Sequence, residues 1–137
     1  MELTASLHIS GHATEQEGIP LLSCTFDFSQ DIDDRGLSKS QVRGGVIEMT
    51  FSSIDDAEIM WWVFSHKADK SGEIVFSKGE DTKAFKTLEF KDARCFYYKE
   101  FFTRDVEIIQ YIKISARKIK ISKAEHENMW THYEDGD

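Results

Sequence analysis

Residues 52–72, with the sequence SSIDDAEIMWWVFSHKADKSG, have the features of a single α-helix in a chain that otherwise mostly alternates between apolar and polar residues. Ser53 is a suitable N-cap residue, and the aspartates that follow it would lie in the first turn, where carboxylates interact well with the helix dipole. Cations and then Gly72 follow the apolar part, which is typical of a helix end. We therefore predict one helix over about residues 53–66.

The apolar residues of this helix predict which of its sides is buried. Trp61 and Phe64 follow Ala57 at the i+4 and i+7 positions, which gives one apolar stripe. We predict that Trp61 and Phe64 pack against the rest of the fold, with about 2–3 kcal/mol of stabilisation from each. Trp62 lies about 100° away from this stripe. A ligand platform built on Trp62 is the less favoured hypothesis, because aromatic residues are more often part of a core.

The other segments predict a sheet. Alternation with period two is typical of half-buried strands, and it occurs in LTASLHIS (3–10), LLSCTFDFSQ (21–30), VIEMTFSS (46–53), GEIVFSK (72–78), FKTLEFKDARCFYYKEFF (85–102) and EIIQYIKISARKIKIS (107–122). The alternation changes phase near Asp92 and near Arg117, which predicts a bend or bulge at each position. We predict a mainly β fold over the single domain 1–137: a small antiparallel β-barrel of six to seven strands or more, with one flanking α-helix.

One long segment has no apolar periodicity. It is DIDDRGLSKSQVRGG, residues 31–45, which we predict to be a loop. Its start has the acidic spacing of a calcium-binding loop, but the twelfth position is Val42, where such loops need a glutamate. A loop this long in a small domain is usually functional. The alternative is a mobile surface excursion.

Charge is unevenly distributed along the chain. The net charge is −8, which argues against nucleic acid as a partner. Five basic and no acidic residues occupy 108–124, whereas five acidic and no basic residues occupy the tail from about 125. One interpretation is a solvated basic strand beside a solvated acidic tail. The other is self-complementarity, in which the positive face of one copy meets the negative face of the next.

The sequence contains no recognisable catalytic or targeting motif. The N-terminus lacks the pattern of a cleavable signal peptide, and no apolar run is long enough to span a membrane, so we expect synthesis and folding in the cytoplasm. His126 and His132 are six residues apart, which does not match the i, i+4 spacing of zinc ligands on one helix. Cys24 and Cys95 are predicted to be buried thiols rather than a disulfide. We expect no catalytic residue, cofactor or metal.

The order of these segments resembles the type VI secretion system tube protein, the Hcp/TssD family. The resemblance rests on LSCTFDFSQDIDDRGLSKSQVRGG, on IEMTFSSIDDAEIMWWVFS before and through the helix, on GEIVFSK and LEFKDARCFYYKEFF after it, and on IKISARKIKISKAEHENMW near the end. Two departures affect the loop conformation and the subtype rather than the fold. Ser38 stands where the family often has proline, and the acidic tail is longer.

The resemblance implies a structural protein, not an enzyme. In this family six copies form a ring, rings stack into a tube inside a contractile sheath, and the tube is expelled with a spike protein and can carry effector proteins in its lumen. The loop at 31–45 would then contact the neighbouring ring. The residues implied for that contact are Gln30, Asp31, Asp33, Asp34, Gly36, Gly44 and Gly45. The segregated charge suggests Lys118, Lys120 and Lys123 of an adjacent subunit as their basic partners.

Two other functions are compatible with the residues alone. One is a monomeric β-barrel that binds a ligand near Trp62. The other is a metal-dependent hydrolase that uses His126 and His132. The mass of the particle in solution distinguishes the first from a tube subunit, and metal analysis of the purified protein tests the second.

Overall fold

The computed structural model describes residues 3–29, 34–35, 43–54, 57–65, 69–78, 84–104, 107–122 and 124–127. Within them lie eight strands and one helix. They are β1 (Leu3–Ile9), β2 (Ile19–Pro20), β3 (Ser23–Ser29), β4 (Arg43–Ser52), α1 (Ala57–Phe64), β5 (Lys70–Lys78), β6 (Ala84–Phe102), β7 (Ile108–Ile121) and β8 (Ala124–Glu127). The prediction of a mainly β fold with one short helix is confirmed.

The strands form one curled antiparallel sheet, a half-barrel in the order β2-β1-β5-β6-β7-β4-β3. The short strand β8 pairs with residues 118–121 of β7, beyond Ser115, where the pairing of β7 with β4 stops. The segment between β2 and β3 links the two ends of the sheet. The amide of Leu21 donates to the carbonyl of Ala5 in β1 at 2.9 Å, and the amide of Leu22 donates to the carbonyl of Thr50 in β4 at 2.8 Å. These two bonds continue the pairing of β2 with β1 and of β3 with β4, so the segment joins the two ends of the sheet.

The core lies on the concave side of the sheet and is closed by the helix. Ile47, Met49 and Phe51, which share one phase of the alternation in β4, are fully buried. The other core residues are contributed by all the longer strands except β3, together with β2 and the helix: Leu7, Ile9, Ile19, Ile59, Trp62, Ile74, Leu88, Phe90, Ala93, Cys95, Ile112, Ile114, Ala116 and Ile119. Alternation with period two thus predicted most of the buried side of the sheet.

The two predicted phase changes occur at one place. Ala116 and Arg117 are buried one after the other in β7, and Asp92 has a positive φ of 53° in β6. The Arg117 Nη2 atom lies 2.8 Å from Asp92 Oδ2, so an ion pair joins the two strands where both change face. The Asp92 amide also donates to Ser71 Oγ at 3.1 Å, beside a register shift between β5 and β6.

The helix corrects the predicted packing. It begins at Ala57, four residues later than Ser53, whose hydroxyl instead donates to Glu100 at 3.0 Å. Trp61 and Phe64 are 64% and 61% exposed, so the prediction that they pack into the core is wrong. The helix buries Ile59 and Trp62 instead. Trp62 Nε1 donates to the carbonyl of Ala93 in β6 at 2.9 Å, so Trp62 is structural and is no ligand platform.

Two glycine positions also differ from the sequence prediction. Gly72 does not end the helix but lies inside β5, opposite Ile9 of β1. Gly44 and Gly45, assigned to the long loop, belong to β4. Gly45 has a φ of 80°, next to the register shift at Asp27 of β3, and only glycine adopts that conformation readily.

Both cysteines are free, as the sequence predicted. Burial raises the pKa of Cys24 and of Cys95 to about 11. At pH 8 we expect alkylation by iodoacetamide to be about two-hundredfold slower in the native protein than in urea, since an ordinary thiol has a pKa of about 8.5. Equal rates in the two states would contradict this burial.

The same shift predicts a loss of stability at alkaline pH. The folded state holds these two protons more tightly than the unfolded state, so their contribution is complete below about pH 8.5 and is lost as pH rises towards 11. Urea unfolding at intervals across that range measures the loss, and a Cys24→Ala variant should show a shallower decline.

Candidate functional site

The exposed side of the helix carries large apolar residues. We call Met60, Trp61 and Phe64 the aromatic helix face. The rings of Trp61 and Phe64 meet edge to face, with centroids 6.1 Å apart and planes at 83°. Two aromatic side chains that are each more than half exposed form the kind of surface that usually contacts another protein.

A cleft of about 550 Å³ lies beside this face, between the helix, the end of β6 and the start of β7. Its lining is Ser53, Ile54, Ala57, Met60, Tyr98, Glu100, Glu107, Ile108 and Gln110. The lining of the cleft therefore combines apolar side chains with two glutamates, Glu100 and Glu107.

The polar groups of this cleft are used to hold its own walls. Gln110 Nε2 donates to the Tyr98 hydroxyl at 2.5 Å, and Gln110 Oε1 accepts from the Ile54 amide at 3.0 Å. The Tyr98 hydroxyl in turn donates to Glu100 at 3.2 Å. Burial is the main reason that the pKa of Tyr98 is raised, so Tyr98 is a poor proton donor at neutral pH. This network fixes the segment between β4 and the helix, and it supplies no nucleophile with an activating base.

The basic strand and the start of the acidic tail meet in one protomer. Arg117, which is 8% exposed, lies 3.2 Å from Glu127 of β8 as well as beside Asp92. Lys118 also lies 3.8 Å from Glu127. Lys120 is exposed and makes no ion pair with the described residues. Part of the charge complementarity seen in the sequence is therefore satisfied by ion pairs between β7 and β8 of the same chain.

The convex side of the sheet has a polar and aromatic surface that sequence reasoning missed. The Tyr111 hydroxyl donates to Glu48 at 2.8 Å, and Lys113 Nζ lies 3.3 Å from the same carboxylate. These contacts, with Tyr111 first, lower the pKa of Glu48. Tyr97 packs edge to face on Tyr111 with centroids 5.6 Å apart. The sequence signalled this surface, since Glu48, Tyr111 and Lys113 alternate with buried residues of β4 and β7.

The predicted interface residues are only partly within the described chain. Asp34 lies in an exposed turn, and Gly44 and Gly45 lie in β4. The residues Gln30, Asp31, Asp33, Gly36 and Lys123 fall outside the described residues, as does His132. The contact between this loop and the lysines of an adjacent subunit therefore stays a prediction.

Features of other protein classes are not found in the described part of the chain. No group of three or more histidine, cysteine, aspartate or glutamate side chains there is placed to hold a metal ion. No helix in the same ranges is long and apolar enough to cross a membrane.

Comparisons with known proteins agree on one family. The family model described as hemolysin coregulated protein Hcp (TssD) matches residues 1–131. The fold is similar to Hcp1 from Flavobacterium johnsoniae, with a TM-score of 0.81 and 28% identity over 91% of this chain and 99% of that one. No curated protein matches the sequence.

More distant structures share the fold. Hcp1 from Salmonella typhimurium has a TM-score of 0.70 at 11% identity, over 92% of each chain. A chain from the sheath-tube complex of an extracellular contractile injection system, PVC, in its extended state, has a TM-score of 0.54 at 16% identity, over 90% of this chain and 89% of that one. At these identities the likeness shows the fold alone.

Proposed function

This chain belongs to the Hcp (TssD) family of type VI secretion tube proteins, a structural family without enzymatic activity, and from that premise we propose that its copies close into hexameric rings. The single observation that carries the proposal is the family match over residues 1–131. The aromatic helix face supports it, because exposed apolar surfaces of this kind often mark contacts between proteins.

We propose further that the rings stack into a tube inside a contractile sheath. The tube would assemble in the cytoplasm, leave the cell behind a spike protein and carry effector proteins in its lumen. The family assignment supports this sequence of events. The occurrence of the same fold in a sheath-tube complex of another contractile system agrees with a tube role.

Light scattering tests ring formation in the purified protein. Six copies of a 15.8 kDa chain give a particle of about 95 kDa. A mass of one chain at every concentration would favour the alternative, a monomeric β-barrel that binds a ligand in the cleft beside the helix. That cleft is the observation that keeps the alternative open.

We retain the predicted contact between the loop and the basic strand of an adjacent subunit, with Lys120 as its main cation. Lys118 shares Glu127 with Arg117 within its own protomer, whereas Lys120 is exposed and forms no ion pair with the described residues. The acidic partners would be Asp31, Asp33 and Asp34 of the neighbour. Each exposed pair contributes about 0–1 kcal/mol, so repetition around the ring matters more than any one pair.

Charge reversal at Lys120 is the corresponding prediction. Lys120→Glu should raise the protein concentration needed for rings or stacks at low salt, and the difference from the wild type should shrink at high salt because exposed pairs are screened. Lys99→Glu makes the same change in net charge on exposed β6 and is the matched control. Normal assembly of Lys120→Glu at low salt would rule the pairing out.

A further inference from the structure

We propose that the aromatic helix face of one protomer docks on the strand-end patch of a second copy, formed by Leu3, Lys78 and Phe85. The inference rests on the proposed ring and deepens it, because it names the two surfaces that meet. Its starting point is the orientation of the helix, which is opposite to the one predicted from the sequence. The apolar stripe of the helix is real, but it faces away from the core of its own protomer.

The helix therefore has two apolar sides with different uses. One side buries Ile59 and Trp62, and Trp62 stacks on Phe90 at 6.5 Å. The other side leaves Trp61 and Phe64 more than half exposed. Tryptophan and other aromatic residues are enriched in the centres of protein interfaces, where they contribute most of the binding energy.

The proposed tube function favours a second copy of the chain as the partner that covers the aromatic helix face. In the proposed function, a contact between tube and sheath would break when the tube is expelled, and the outer surface of the tube would then face water. A contact between copies persists throughout. Permanent interfaces are the more hydrophobic class, so exposed aromatic residues of this size suit a contact that is never released.

The strand-end patch has the complementary character. Leu3 is 60% exposed and Phe85 is 53% exposed, and Lys78 Nζ lies 4.2 Å from the centre of the Phe85 ring. Leu3 pairs directly with Lys78 across β1 and β5. This patch combines apolar side chains with a cation, whereas the lining of the cleft beside the aromatic helix face combines apolar side chains with Glu100 and Glu107.

The strand-end patch and the cleft beside the aromatic helix face lie at opposite ends of the longest strand. Phe85 is at the beginning of β6, while Phe102, at its end, pairs with Ile108 of the cleft. Two different patches at opposite ends produce a head-to-tail contact, and contacts of this kind close into rings or extend into stacks. Opposite charges beside the apolar groups would fix the orientation of the docking.

Loss of the aromatic helix face is the first test. The double variant Trp61→Ser/Phe64→Ser should need at least a tenfold higher protein concentration than the wild type to form rings, measured by mass photometry. Its thermal unfolding as a dilute monomer should stay close to that of the wild type, because both side chains are exposed. Phe96→Ser is the control, since Phe96 is 51% exposed and lies outside both patches.

Crosslinking tests the pairing of the two patches directly. Phe64→Cys and Phe85→Cys proteins are mixed, assembled and oxidised, and a crosslinked dimer should form in the mixture but not with either variant alone. The native Cys24 and Cys95 are removed by substitution with alanine beforehand. Intact rings in the double serine variant, or rings without the crosslink, would overturn this inference and leave the proposed function standing. A wild-type protein that never assembles would overturn the proposed function itself.

Discussion

Replacement of Trp62 by alanine is expected to lower the free energy of unfolding by about 3–5 kcal/mol. Trp62 is the largest fully buried side chain of the described core, it stacks on Phe90, and its indole nitrogen donates to the carbonyl of Ala93. The substitution removes the main contact of the helix with β6 and leaves a cavity. Urea unfolding followed by circular dichroism measures the loss, at a protein concentration where all variants have the same mass.

The neighbouring tryptophan is the matched control. Trp61→Ala should change the stability of the monomer by less than about 0.5 kcal/mol, because this side chain is 64% exposed. If Trp62→Ala does not fold, Trp62→Phe gives the smaller test, since it keeps an aromatic ring but leaves the Ala93 carbonyl without its donor, at a cost of about 1–3 kcal/mol. Equal losses for Trp61→Ala and Trp62→Ala would contradict the orientation of the helix.

Addition of a single methyl group at Gly72 is expected to have a comparably large effect. A Cβ atom there would overlap the backbone carbonyl oxygen of His8, and it would also lie 3.0 Å from the Phe90 ring and 3.1 Å from Ile9 Cα. Two of these three neighbours are backbone atoms of β1, so no side-chain rotation relieves the overlap. We expect Gly72→Ala to cost about 3 kcal/mol or more and to disturb the pairing of β1 with β5.

Gly11 supplies the control for this prediction. A Cβ at Gly11 would meet nothing within 4 Å, although its φ of 81° disfavours other residues. Gly11→Ala should therefore cost only about 1 kcal/mol, the usual penalty of that backbone conformation. Hydrogen exchange should show faster opening of β1 amides in Gly72→Ala than in Gly11→Ala. Similar stability of the two variants would show that β1 and β5 do not approach as closely as described.

The sheet was predictable because strand burial is a local property of the sequence. Ile47, Met49 and Phe51 alternate with polar residues, and one sheet face can bury only alternate positions. The phase changes near Asp92 and Arg117 could also be predicted, because they interrupt this local alternation. Their meeting in one ion pair could not be read from the sequence, because it depends on the register between β6 and β7, which places two residues 25 positions apart side by side.

The helix orientation could not be predicted from the monomer rule that apolar residues face inward. The helix α1 has two apolar sides. The side with Ile59 and Trp62 packs into the core, whereas the wider stripe with Trp61 and Phe64 is exposed. The acceptor for the indole nitrogen comes from Ala93, a distant residue whose position depends on the tertiary fold. Gly72 was misassigned for a related reason. A glycine after a helix usually ends it, and only the packing of β1 shows why this glycine lies inside a strand.

The segregation of basic and acidic residues could be read from the sequence, but the sequence did not show which of these charges pair with each other. The basic residues of β7 and the first acids of the tail are neighbours through β8, so Arg117 and Glu127 pair within one chain. The sequence interpretation left open whether such charges are solvated or shared between copies. Local pairing accounts for Arg117 and partly for Lys118. It leaves Lys120 available for the proposed contact between copies, while Lys123 lies outside the described residues.

Electron microscopy of the purified full-length protein tests the central claim most directly. Images are recorded over a range of protein concentrations, and particles are averaged without imposed symmetry. The proposed function predicts annular particles with six-fold symmetry, with stacks of such rings at the highest concentrations. Single protomers at every concentration, and also in extracts of cells that contain the secretion apparatus, would contradict it.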